Sequence, residues 1–169
     1  YDQSLEIKEE LGDKRGIAKT LHQLGMIHQD QGEYKKAIEK YNQAKDTFEE
    51  LGDKSGIAIT LHQLGTIHQQ QGEYGKAVEK YNQSLKIKEE LGDKSGIAST
   101  LNQVGLISMK EKNYEKALRE FLISFSIFDG LKSPNKDIVG GNIARLKKEL
   151  GEEEFKKLYE KVKAELEKS

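Results

Sequence analysis

Four histidines, His22, His28, His62 and His68, are the side chains of this chain best suited to chemistry. Imidazole changes charge near neutral pH and is the commonest metal ligand. Their spacing does not assemble a site. His22 and His28 are six residues apart and point to different helical faces, and no carboxylate recurs beside them at i+3 or i+4. His22 and His62 could face each other only across packed helices, whose axes lie ~8–10 Å apart. The His22/His62 pair is left to lend weak pH dependence to binding. The repeated Glu-Glu-Leu-Gly-Asp-Lys at 49–54 and 89–94 places paired carboxylates before a helix end, where they cap and solubilise. There is no cysteine, which excludes disulfides, thiolate metal sites and a thiol nucleophile. No Gly-rich phosphate loop, Ser/His/Asp arrangement or dinucleotide fingerprint occurs. Asn82-Gln83-Ser84 fits the glycosylation triplet but falls mid-helix. The expectation is no catalytic residue, no metal and no cofactor.

Composition narrows the class further. Apolar residues make up 35% and charged residues 34% of the 169 residues, so the core is thin and the surface heavily charged. A net charge of −1 leaves no electrostatic footprint for nucleic acid or anionic lipid. No apolar run approaches the ~18 residues of a membrane span. A cytoplasmic location is expected.

The elements that must position these residues repeat. Leu-His-Gln-Leu-Gly-x-Ile-His-Gln-x-Gln-Gly-Glu-Tyr stands at 21–34 and 61–74, with a diverged copy at 101–114, and Gly25, Gly65 and Gly105 recur every 40 residues. A fixed period means that each unit is one supersecondary element that buries its apolar face only by stacking. Asp13, Asp53 and Asp93 suit N-caps after Gly12, Gly52 and Gly92. First helices are predicted over 14–31, 54–71 and 94–112, and second helices over 34–51, 74–91 and 114–130. Ile17, Leu21, Leu24 and His28 form one stripe. Gly32 and Gly72 end the first helices, with Asn113 expected in that place in the third copy. Ser133-Pro134 starts a helix to about Leu150 carrying Val139, Ile143, Leu146 and Leu150. A last helix bears Phe155, Leu158, Tyr159, Val162 and Leu166. Gly140-Gly141 inside this cap suggests close packing against the preceding helix.

Leu21-x2-Leu24-Gly25-x2-His28 followed by Ala37-x3-Tyr41 resembles the tetratricopeptide signature W-x2-L-G-x2-Y…A-x3-F…P. It recurs as Leu61, Leu64, Gly65, His68, Ala77, Tyr81 and as Leu101, Val104, Gly105, Ser108, Ala117, Phe121. Leucine stands for tryptophan, histidine or serine for tyrosine, and Glu49, Glu89 or Asp129 for the closing proline, so the resemblance implies that His28 and His68 are partly buried, hydrogen-bonded packing residues. The period is 40 rather than 34 residues, as in the long-helix arrays of some signalling proteins. The resemblance implies an all-α, right-handed superhelical solenoid of antiparallel helix pairs over 1–131: a partial repeat at 1–12, then copies at about 13–52, 53–92 and 93–131. Residues 132–169 would be capping helices. It also implies protein or peptide binding in a groove lined by first helices.

Copies one and two agree at 29 of 40 positions. Within the first helix they differ at 19/59, 26/66 and 30/70, spacings that fall on one helical face. The expected partner-binding groove is therefore Lys19, His22, Met26, Gln29 and Asp30, then Ile59, His62, Thr66, Gln69 and Gln70, then Ser99, Asn102, Leu106, Met109 and Lys110. His22, His62 and Asn102 stand where some relatives carry the lysine/asparagine clamp for a C-terminal carboxylate, so a mixed apolar and amide ligand is expected instead. The predicted function is a non-enzymatic module that binds a peptide or helix of another protein, within a larger regulatory or scaffold protein. The alternatives are a self-associating scaffold and a peptide-sensing signalling domain. Tyr1 aligns with Tyr41 and Tyr81 in mid-repeat, so further repeat sequence is expected before it. Leu5 and Leu11 would then line an open N-terminal edge through which the chain could form homo-oligomers.

Overall fold

A computed structural model describes residues 12–168 of the protein. The readings of 1–11 as a helix tail and of Leu5 and Leu11 as an open edge lie outside the described residues. Eight helices follow in order: α1 Lys14–Asp30, α2 Tyr34–Glu50, α3 Lys54–Gln70, α4 Tyr74–Leu91, α5 Lys94–Lys110, α6 Tyr114–Gly130, α7 Asn135–Leu150 and α8 Glu152–Leu166. The described residues form no strand, and the fold class is all-α. Two compact units divide between Leu91 and Gly92.

The first unit holds the pairs α1/α2 and α3/α4, with α2 packed on α3. Each first helix starts at an aspartate whose carboxylate accepts the third backbone N–H beyond it, Asp13 from Gly16 at 2.9 Å and Asp53 from Gly56 at 3.0 Å. Such a cap contributes about 1 kcal/mol. Gly32 and Gly72 end these helices in the left-handed region, with φ of 73° and 76°. Small residues then let the paired helices close. A Cβ on Gly25 would sit 2.7 Å from the Tyr41 ring, and one on Gly65 2.8 Å from the Tyr81 ring. Tyr41 is fully buried and also clusters with Leu64 and Ile67 of α3, so one ring closes its own pair and meets the next. Phe48 does the equivalent work further along α2, lying against Gly56.

The second unit holds the pair α5/α6, with α7 on α6 and α8 against both. Its core joins Ala98, Leu118, Phe121 and Phe128 to Val139 and Leu146 of α7 and Val162 of α8. Lys161–Glu115 at 2.6 Å and Arg119–Glu165 tie α8 to α6. Two expectations are corrected here. The left-handed residue ending α5 is Lys112 (φ 59°), while Asn113 is the N-cap of α6 and accepts from Lys116 N at 3.3 Å. The cause is register: Lys112, not Asn113, stands 40 residues after Gly72. Nor does close packing require Gly140-Gly141. A Cβ on Gly140 would make an ordinary 3.6 Å contact with Phe125, and one on Gly141 would meet nothing within 4 Å.

Candidate functional site

In the first unit, α1 and α3 lie side by side and share one stripe of side chains. His22 Nδ1 lies 3.1 Å from Thr60 Oγ1. The Thr60 hydroxyl proton is committed to the Gly56 carbonyl at 2.8 Å, so Nδ1 carries the proton and donates. The His22 ring packs on Tyr41 with centroids 5.1 Å apart, and His62 repeats this on Tyr81 at 5.2 Å. Lower on the stripe Tyr41 OH donates to Gln29 Oε1 at 3.0 Å, and Gln29 Nε2 donates to Gln70 Oε1 at 3.1 Å. Tyr81 OH donates to Gln69 Oε1 at 2.7 Å, and the Thr66 hydroxyl donates to the His62 carbonyl at 3.1 Å. The histidines, Gln29 and Gln69 of the expected groove are thus half-buried and engaged within the unit, and Gln70 is engaged though exposed.

Burial holds both stripe histidines neutral. It lowers the His22 pKa, and burial together with the Lys88 ammonium pushes His62 down to about 4. For His62 this corrects the expectation that the pair titrates near neutral pH, because an imidazole in a packed ring stack loses the water that would solvate its charge. Tyr81 is pushed up to about 12 by burial. His28 and His68, on another face, bond Glu33 and Glu73 at 2.6 Å as packing residues. Hydrogen bonds from Lys36 and His28 hold Glu33 below the usual carboxylate range, and Lys76 and His68 do the same for Glu73.

What stays open on the stripe is apolar or charged, apart from the Gln23 and Gln70 amides. Met26 is 43% and Ile59 49% exposed, Lys19, Asp30 and Gln70 are exposed, and a surface cleft of about 390 Å³ brings together Lys19, His22, Gln23, Phe48 and Ile59. The second unit treats the same positions differently. Asn102 is only 9% exposed and accepts from Asn142 Nδ2 of α7 at 2.9 Å. Leu106 and Met109 pack against the core cluster, Ser99 is half-buried and Lys110 is exposed. The expectation of an open face at Asn102, Leu106 and Met109 is corrected accordingly. One signal existed in the sequence: Asn142 follows Asn102 by the 40-residue period, which carries the first-helix register on into α7.

Among the described residues no three His, Asp or Glu side chains gather as a metal site. No described helix is long and apolar enough to cross a membrane. A family model described as tetratricopeptide repeat matches residues 1–50 and 16–90, just over half of the chain. The chain belongs to the tetratricopeptide repeat family. Its repeats form an all-helical module of the interaction type. The crystal structure of BtubC (BKLC) from P. vanneervenii matches with a TM-score of 0.77, covering 96% of this chain and 69% of that one at 22% identity. At that identity the likeness is one of fold. No curated protein sequence matches the chain.

Proposed function

We propose that this tetratricopeptide chain holds a peptide or helix of a partner protein on the face shared by α1 and α3, as part of a larger regulatory or scaffold protein. The observation that carries the reading is the exposure of Met26 and Ile59 on that face, beside the cleft that contains Ile59. Exposed apolar side chains gathered on one surface mark interaction sites more often than solvated ones. The half-buried Gln29, Gln69 and Thr66 flank them with amide and hydroxyl groups already fixed by Tyr41 and Tyr81, a pre-organised rim. In the second unit, taken by itself, Ser99 and Lys110 hold the equivalent positions on α5, whereas Asn102, Leu106 and Met109 serve packing.

The test is affinity capture from the source lysate with wild type and Met26→Glu/Ile59→Glu, both first matched for helicity by circular dichroism. A protein retained by the wild type and lost by the double variant supports the reading. Equal retention by both removes the binding surface from this face.

A further inference from the structure

The α1/α3 face of the first unit carries both paired and unpaired charges. On these two helices Lys14 pairs with Glu50 at 2.8 Å, Lys54 with Glu90 at 2.7 Å, and Arg15 lies 3.9 Å from Asp53. Lys19 and Asp30 are exposed and have no ion-pair partner among the described residues. They lie eleven residues apart on one stripe of α1, about 16 Å along the axis. Met26 lies between them, and Ile59 shares the cleft with Lys19.

Asp30 is the last residue of α1, where the helix macrodipole disfavours an anion. The same position is Gln70 in α3 and Lys110 in α5. Comparison of α1 with α3 isolates this stripe: their only differences are Arg15/Ser55, Lys19/Ile59, Met26/Thr66 and Asp30/Gln70, at spacings of 4, 7 and 4. Gln23, between Lys19 and Met26 on the same stripe, is unchanged as Gln63 and offers an amide there.

Resting on the binding face proposed above, we infer that its occupant is a segment of polarised charge. An acidic residue sits by Lys19, apolar residues cover Ile59 and Met26, and a basic residue sits by Asp30. Complementary charge at the two ends sets the direction and register of the segment, and the apolar centre holds it. An occupant of uniform charge meets repulsion at one end whichever way it lies.

The probe is a displayed library of random 12-residue peptides, panned at low salt against the full chain. Peptides enriched by the wild type should carry Asp or Glu toward one end and Lys or Arg toward the other, flanking apolar residues. Exchanging the protein charges in Lys19→Glu/Asp30→Lys should weaken those peptides roughly tenfold. The same variant should regain affinity for peptides with their own charges exchanged. Peptides that are lost with Met26→Glu/Ile59→Glu but indifferent to the charge exchange would overturn the polarised occupant and leave the binding face standing. Peptides indifferent to both variants, or no enrichment at all, would overturn both.

Discussion

A single methyl group decides how α3 meets α4. A Cβ on Gly65 would lie 2.8 Å from the buried Tyr81 ring, so Gly65→Ala should cost about 1–3 kcal/mol, read as a lower urea midpoint at unchanged slope. His62 acts through its proton. Unfolded, it titrates near 6.5; folded, near 4. The folded state therefore keeps its full stability above about pH 6.5 and loses up to about 3 kcal/mol as pH falls toward 4, because the unfolded chain takes the proton first. His62→Asn, the residue found at 102, should flatten that slope in denaturation curves run from pH 7 to 4. The glycine and tyrosine positions were legible in the sequence because a small residue and a ring recur in register. The state of Leu106 and Met109 was not. Periodicity shows which face a residue shares, but not that a later segment adds core against it, as Val139, Leu146 and Val162 do.

At the scale of the helix, starts and stops were the most readable features, since aspartate at an N-cap and glycine at a left-handed C-cap are local chemistry. The exceptions mark places where the chain carries strain or slack. Lys112 holds φ at 59° where the other copies have glycine, so Lys112→Gly should stabilise the protein by roughly 1 kcal/mol. Gly141 is slack of the opposite kind, inside α7 with open space where a Cβ would stand. Gly141→Ala should raise stability by about 1 kcal/mol, visible as a higher thermal midpoint. Failure of that gain would mean that the glycine serves something other than the helix.

Across the molecule, packing stays close in sequence. Gln29–Gln70 and Arg119–Glu165 span 41 and 46 residues, and helices pack chiefly on their chain neighbours. Low contact order of this kind predicts refolding within milliseconds in stopped-flow experiments. The ring-on-glycine joint carries a consequence for heredity. Because Gly25 with Tyr41 and Gly65 with Tyr81 are interchangeable joints, loss of forty codons between equivalent points, such as Tyr34 and Tyr74, would splice α1 onto the second helix of the next copy and recreate a joint already in use. Unequal recombination within the gene could then shorten or lengthen the array without inventing a new interface, while the stripe bearing Lys19, Met26 and Asp30 passes on as a separable block.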